Sequence, residues 1–221
     1  MNEIQSGVGA TMPTPEEVFH KALSNLSFEM RVAMPGIVQS WNPTTQTASI
    51  KLSLREKLNI DGNPSWTEIP LLVDVPLVTL KGAGHLIATA INEGDECWVW
   101  FADGCFDATW QSSGVQNQPD LRRHDLSDGF FMPSLFSQPN VISNYPTEGI
   151  EIRDESGSTK VNVTSGSVSV QGTSVNVIGS TISINGSNVS LGASTTIDGK
   201  SFLNHTHSGV ESGSSNTGGV V

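Results

Sequence analysis

Hydrophobic residues in the C-terminal third of this chain recur in a strict pattern of pairs. Each pair is an apolar-x-apolar step, and a new pair begins every seven residues: Val161/Val163, Val168/Val170, Val175/Val177, Ile182/Ile184 and Val189/Leu191. A spacing of two places both side chains on one face of a β-strand. A coiled coil would instead need apolar residues three and four apart, and the glycines between these pairs disfavour a helix. Each repeat is therefore predicted to be a short strand followed by a turn.

Strands this short need partners. Burying the two apolar side chains of one repeat contributes about 3–5 kcal/mol, whereas ordering its backbone costs about 1–2 kcal/mol for each residue. A solenoid closed by one chain normally needs about 20 residues or more per turn. Three chains contributing one strand each would close a triangular turn, so we predict an intertwined, three-fold β-prism with the apolar pairs on a shared axis. A flexible Ser/Gly-rich linker is the alternative from composition alone, and the strict period disfavours it.

A single helix is predicted near the N-terminus. Thr14 suits the N-cap, Pro15 the first helical position, and Glu17 completes a capping box. Apolar residues follow on one face of this helix, at Phe19, Leu23, Leu26 and Met30. The helix could lie on its own domain, pack against identical chains or dock a larger partner, and the sequence leaves these alternatives open.

Short strands separated by turn residues are predicted between the helix and the repeats. The predicted strands are 36–41 and 47–52 as a hairpin, an edge or extended segment at 69–78, a core strand at 97–101 with its tryptophans in the core, a strand at 106–110 paired with it, and 129–133. Proline cannot donate to a ladder, which is why the segment holding Pro70 and Pro76 is placed at an edge. About 100 residues with five or so strands fit a small barrel of the OB type.

The fold class predicted for the whole chain is mainly β. An N-terminal arm and helix (1–33) precede an OB-fold-like barrel (34–136), a connector (137–149), a trimeric β-helix or prism (150–203) and an apex (204–221).

Composition excludes several classes of function. The chain has 221 residues, a net charge of −11 and a pI near 4.7, so it lacks the surplus of Lys and Arg that binding nucleic acid requires. No run of 18 apolar residues predicts a membrane span, and no secretory leader is recognised. Cys97 and Cys105 are predicted to be buried free thiols. The cluster Arg122 to Asp125 is expected to be a solvated turn or a ligand for a neighbouring subunit.

Catalytic motifs are absent from the sequence. It contains no phosphate-binding loop, no nucleophile elbow and no zinc-protease or zinc-finger spacing. We therefore expect neither an enzyme nor a small-molecule substrate.

Two histidines near the C-terminus are the candidate metal ligands. His205 and His207 point the same way in an extended chain. Two imidazoles cannot saturate a metal in a monomer, but three chains on one axis would supply six nitrogens in octahedral geometry. Imidazole suits Fe, Ni, Cu or Zn, and six ligands disfavour the usual tetrahedral zinc site. A metal there would add its binding free energy to that of folding at the tip. Two solvated histidines in a mobile tail are the alternative.

Motifs along most of the chain resemble one known family. They are the helix before Met34-Pro35-Gly36-Ile37-Val38, then 74–77 and 94–96, the heptad repeats, and the segment from Asp198 to Gly209 that contains the His-x-His motif. In these respects the chain is similar to the membrane-puncturing central spike proteins of contractile-tailed bacteriophages, and its barrel segment resembles the gp138-type family.

The resemblance implies a structural role in the virion. It implies a homotrimer at the tip of the tail baseplate, assembled in the host cytoplasm and joined to hub and tail-tube proteins, that pierces the host outer membrane mechanically on tail contraction. It also implies one iron ion per trimer, held by His205 and His207 of the three chains, with room for other apex ions. The alternative function is a tail-fibre or adhesin-type binding module on a trimeric β-helical stalk.

Overall fold

The computed structural model describes residues 12–60, 63–186 and 188–203. As predicted, the chain is mainly β with an N-terminal helix. It divides into two compact units, which we call the barrel unit (Met1–Glu148 with Glu155–Gly157) and the stalk unit (Gly149–Asp154 with Ser158–Val221). The boundaries of the five predicted segments stay predictions.

The barrel unit contains two helices and nine strands among its described residues. They are helix α1 (Pro15–Glu29), strands β1 (Ala33–Asn42), β2 (Thr47–Leu52), β3 (Arg55–Ile60), β4 (Asn63–Glu68), β5 (Leu72–Pro76), β6 (Lys81–Gly82), β7 (His85–Leu86) and β8 (Glu96–Phe101), the short helix α2 (Asp107–Ser112), and strand β9 (Gly129–Met132). Turns of 3-10 helix lie at Leu126–Asp128 and Gln138–Asn140.

Helix α1 begins as its sequence predicts. The Thr14 hydroxyl accepts a hydrogen bond from the Glu17 N–H (3.2 Å), and the Glu17 carboxylate accepts one from the Thr14 N–H (2.7 Å). These two bonds form the predicted capping box. The side chains of Val18, Phe19, Leu23 and Leu26 on α1 remain exposed, so the described part of this chain does not cover them.

Five antiparallel strands form the main sheet, in the order β5-β2-β1-β8-β9. The predicted hairpin is confirmed as β1 and β2, and the proline-containing segment provides the edge strand β5. The two edges of the sheet meet where Leu77 forms a parallel bridge with Phe131, and the Val78 N–H donates to the Phe131 carbonyl (2.8 Å). The sheet therefore curves into a half-barrel whose edges touch, consistent with the predicted OB-like fold.

The core of the half-barrel lies on its inner face. Val38, Ile50, Cys97, Val99 and Phe131 are fully buried there. Strand β8 alternates buried and half-buried residues, as a strand with one inner face must.

The prediction that the tryptophans of β8 lie in this core is wrong. Trp98 and Trp100 occupy the alternate, outer positions of the strand and are half-buried there. Trp100 stacks on Phe130 of β9, with ring centroids 6.2 Å apart. Trp41 does pack against the core, edge-on to Phe131.

The predicted strand at 106–110 is also wrong, because these residues enter helix α2. Strand β8 pairs with β1 on one side and β9 on the other, so no free edge remains for another strand. The first turn of α2 is instead held by Asp107, whose carboxylate accepts a hydrogen bond from Arg122 (2.8 Å).

The stalk unit begins with a three-stranded antiparallel sheet, whose strands are β10 (Ile150–Arg153), β11 (Lys160–Thr164) and β12 (Ser167–Gln171). A short hairpin follows, formed by β13 (Thr196–Ile197) and β14 (Lys200–Ser201). Asp198 and Gly199 in its turn both have positive φ, as a two-residue hairpin loop of type I′ requires.

The structure confirms that each of the first two repeats forms one strand, and these strands are β11 and β12. The two strands pair with each other within one chain, whereas we predicted from the sequence that each chain would contribute a single strand to each turn. The described residues of the other three repeats form no strand.

Candidate functional site

Six apolar side chains share one face of the β10–β12 sheet. The register places Ile152 beside Val161 and Val161 beside Val170, and it aligns three more apolar residues in the neighbouring row. We call this face the apolar wall, and its residues are Ile150, Ile152, Val161, Val163, Val168 and Val170. Their exposed fractions range from 38% at Val161 to 70% at Ile150, so the described part of the chain leaves this face uncovered.

The opposite face of the same sheet carries a polar network centred on Glu151. The Glu151 carboxylate accepts hydrogen bonds from Lys160 (2.9 Å) and Asn162 (2.7 Å), and it lies 3.5 Å from the Arg153 guanidinium. These contacts, led by the Lys160 hydrogen bond, hold the pKa of Glu151 below its usual value. Only 6% of the Glu151 side chain is exposed. The charged groups of this face therefore pair within one chain, whereas the buried Asn162 Oδ1 accepts no hydrogen bond and the apolar face is uncovered among the described residues.

Apolar pairs continue beyond the sheet, and the described residues do not cover them. The side chains of the last three repeats are more than half exposed, namely Val175, Val177, Ile182, Ile184, Val189 and Leu191. No Asp, Glu, Lys or Arg occurs from Val161 to Ile197. This segment therefore exposes apolar side chains in regular pairs and carries no charge that would repel an identical copy.

The predicted metal ligands His205 and His207 lie outside the described residues. The structure describes the chain up to Leu203, just after strand β14 ends at Ser201. Their assignment as ligands rests on the sequence, and so stays a prediction.

Within the described ranges, a second group of metal-ligand type lies in the barrel unit, at Cys105, Asp107 and Asp128. The Arg122 guanidinium binds both carboxylates of this group. It donates to both oxygens of the fully buried Asp128 (2.7 and 2.9 Å) and to Asp107 (2.8 Å). The Arg122 hydrogen bond holds the pKa of Asp107 below its usual value, and the two carboxylates raise the pKa of Arg122. An internal ion pair, rather than a metal, accounts for this cluster.

The same contacts correct part of the prediction for Arg122 to Asp125, because Arg122 is bound to the buried Asp128 rather than solvated, while a role of the segment as a ligand for a neighbouring subunit stays a prediction. Besides Arg122, the Arg123 guanidinium donates to Asp103 (2.7 Å), and the His124 ring lies 3.0 Å from the Arg31 carbonyl. The cluster ties the loop to its own barrel unit, because the partners of its cations lie in the same chain.

The two cysteines are buried free thiols, as predicted. Burial, together with the nearby charge of Asp95, raises the pKa of Cys97 to about 12. A thiol of this kind is not a nucleophile near neutral pH.

Two family models match this chain. The model for the phage protein Gp138 N-terminal domain matches residues 34–134, and the model for the GpV apex motif matches residues 202–219, which include His205 and His207. Together the matches span more than half of the chain. Both matches are consistent with a Gp138-type central spike protein of a phage. No curated protein matches the sequence.

The two matched domains set the general role of the chain. It is a structural protein of a phage tail spike, associated with the virion, and such spikes assemble with other tail components and form oligomers. The GpV apex motif is in general a metal-binding tip motif. Among the described residues of this Gp138-type chain, no helix is long and apolar enough to cross a membrane.

Sequence reasoning missed two features of this Gp138-type chain. The Arg122–Asp128 pair was not recognised, although a conspicuous group of acidic residues near Arg122 (Asp120, Asp125 and Asp128) could have suggested one. The Glu151 network was also missed, and its signal was the alternation of charged and apolar residues from Ile150 to Arg153.

Proposed function

We propose that this chain is the central spike of a contractile phage tail, and that three copies pierce the host outer membrane mechanically when the tail contracts. The observation that carries the proposal is the order of parts along one chain. A Gp138 N-terminal domain comes first, a strictly periodic apolar repeat follows, and the apex motif lies at the far end. A tip at the end of a narrow β-stalk suits penetration.

The exposed repeat supports a trimer. Each chain exposes the apolar wall and six further apolar side chains in pairs, which two other copies would cover around a shared axis. Because the segment 161–197 is uncharged, three copies can approach there without electrostatic repulsion.

At the tip, we propose that His205 and His207 of the three chains hold one iron ion. The donor set fits such an ion, because six imidazole nitrogens complete an octahedron and imidazole is a common ligand of iron. The ion would join the three chains at the apex and add its binding free energy to that of folding there. Other ions could bind along the axis of the same apex.

The proposed role is mechanical and not enzymatic. Hub and tail-tube proteins are the proposed partners of the assembled spike, which would form in the host cytoplasm and reside at the baseplate tip of the virion. The force of contraction, rather than affinity for lipid, would drive the spike through the membrane.

Phage particles carrying His205→Ala and His207→Ala spikes test this proposal. The expected result is normal adsorption to the host with a loss of outer-membrane permeabilisation and of DNA delivery. Particles carrying His20→Ala, a change of the same type on the exposed helix α1, serve as the control. A loss of adsorption in the His205/His207 variant would instead support an adhesin, and unchanged infection by it would refute a role for the apex in penetration.

A further inference from the structure

We infer that helix α1 packs against the α1 helices of two other copies and forms a parallel three-helix bundle around the three-fold axis. The surface buried in this bundle is an apolar stripe along the helix, which we call the α1 stripe. Its residues are Val18, Phe19, Ala22, Leu23, Leu26 and Met30. This inference rests on the proposed trimer and gives it an interface outside the stalk.

The α1 stripe has no cover in the single chain. Within the helix, the exposed fractions of its large side chains run from 45% at Leu23 to 62% at Phe19, so the described part of the barrel unit does not pack on it. A helix of 15 residues is marginal in water without such packing. Glu29 weakens it further, because a negative charge in the last turn opposes the helix dipole and no basic residue there offsets it. We therefore expect another surface to cover this helix.

The width of the α1 stripe favours two neighbours over one. At about 100° of rotation per residue, the stripe covers an arc of about 140° between Val18 on one edge and Leu23 on the other. The seam between two helices of a coiled coil is narrower. Phe19, Ala22 and Leu26 lie between the two edges, where they would face the axis of a bundle. One neighbouring helix would cover the centre and one edge, whereas two would cover both edges.

The two edges of the α1 stripe also suit a cyclic trimer. Each contact in a ring of three joins one surface of a copy to a different surface of the next copy. The Val18 edge of one helix would therefore meet the Leu23 edge of its neighbour, and both edges are apolar. Polar residues, among them His20 and Ser24, lie on the opposite side of the helix. Glu29 is the one charged position within the arc, and it is the last residue of the helix.

The connector after α1 fixes where the helix leaves the barrel unit. Only residues 30–32 separate α1 from β1. The Arg31 N–H donates to the His124 carbonyl (3.3 Å), and the His124 ring lies 3.0 Å from the Arg31 carbonyl. The Phe101 N–H donates to the Val32 carbonyl (3.0 Å). Three copies would therefore present their helices at the same height, because each helix is anchored at the same point of its own barrel unit.

The bundle and the stalk would join the three chains at separate places. Helix α1 belongs to the barrel unit, and the apolar wall belongs to the stalk unit. Loss of the bundle should therefore leave a trimer that is held together by the stalk. For this reason the test has to report contacts between the helices themselves as well as the number of chains.

Single cysteines on the two sides of α1 test the inference in the full-length protein. Ala22→Cys places a thiol within the α1 stripe and changes the size of the side chain little. Ser24→Cys is the matched control, because it places a thiol on the opposite side. A short bis-maleimide is added to dilute protein, and a denaturing gel with peptide mapping reports which thiols are joined. Native mass spectrometry reports the number of chains, and mapping separates the introduced thiols from the buried Cys97 and Cys105.

We expect both variants to be trimers. Most Ala22→Cys chains should be recovered as covalent dimers, since the reagent joins two of the three neighbouring thiols, and the Ser24→Cys chains should run singly. A trimer whose Ala22→Cys chains stay single would overturn the inference, as would equal linking in the two variants. A monomer in the native spectrum would instead refute the proposed trimer, and with it this interface.

Discussion

Replacing Val168 by Thr tests the apolar wall as an assembly surface. The substitution keeps the shape and β-propensity of the side chain and exchanges one methyl group for a hydroxyl. The lost methyl costs about 0.8 kcal/mol on burial, and burying an unpaired hydroxyl costs about 1–3 kcal/mol. Because Val168 is 69% exposed in the single chain, most of this cost arises on assembly rather than on folding. Three copies together lose about 6 kcal/mol, or about four orders of magnitude in the assembly constant.

The assay is sedimentation velocity of the full-length protein after refolding at a series of concentrations. The Val168→Thr variant should need much higher protein concentrations to form trimers. Ser169→Thr is the matched control, because it introduces the same residue at the next position, on the polar face of the strand. Equal assembly of Val168→Thr and the unmodified chain would refute the reasoning, as would equal damage by Ser169→Thr.

Three further predictions concern individual side chains. Replacing Asp128 by Asn should destabilise the barrel unit by about 3 kcal/mol in chemical denaturation, because Arg122 loses its buried charged partner. The control Asp120→Asn, at an exposed carboxylate, should cost less than about 1 kcal/mol. Similar costs for the two variants would contradict the buried Arg122–Asp128 ion pair. The ionised Glu151 carboxylate stabilises the stalk above its unfolded pKa of 4.5, and this contribution is lost as the pH falls through its lowered pKa in the folded state. Thermal melts of the unmodified protein should show this loss of stability in acid. A Glu151→Gln variant whose stability falls with pH in the same way would contradict the prediction. Cys97 should resist a thiol reagent at neutral pH until denaturant is added, and rapid labelling of the native protein would contradict its burial.

Local rules predicted the helix and the first hairpin well. The N-terminus of α1 depends on hydrogen bonds between Thr14 and Glu17, which are three residues apart, so the sequence contains nearly all of the relevant information. The turn after Asn42 is similarly local, because the Asn42 side chain accepts hydrogen bonds from the backbone of Thr44 and Thr45.

Long-range pairing could not be predicted in the same way. Residues 106–110 have the composition of a strand, but both edges of β8 are occupied by β1 and β9, and that competition is invisible along the chain. Arg122 likewise reaches Asp107 across 15 residues and Asp128 across six, a choice of partners that depends on the folded loop.

In the stalk, the repeat predicts some features of the structure and does not determine others. Spacing alone identified strands with one apolar face, and Val161, Val163, Val168 and Val170 do share a face. Spacing could not decide whether neighbouring strands belong to one chain or to several, because both arrangements satisfy the same side chains. In the structure the first two repeats pair within one chain, through a turn in which Gly166 has φ of +81°.

Native mass spectrometry, combined with metal analysis, tests the central claim most directly. The full-length protein would be purified without a chelator or an affinity tag of histidines. We predict a trimer that carries one iron ion for three chains and that loses this ion when His205 and His207 are replaced by Ala. A monomer that binds no metal would contradict the trimeric, metal-stabilised spike.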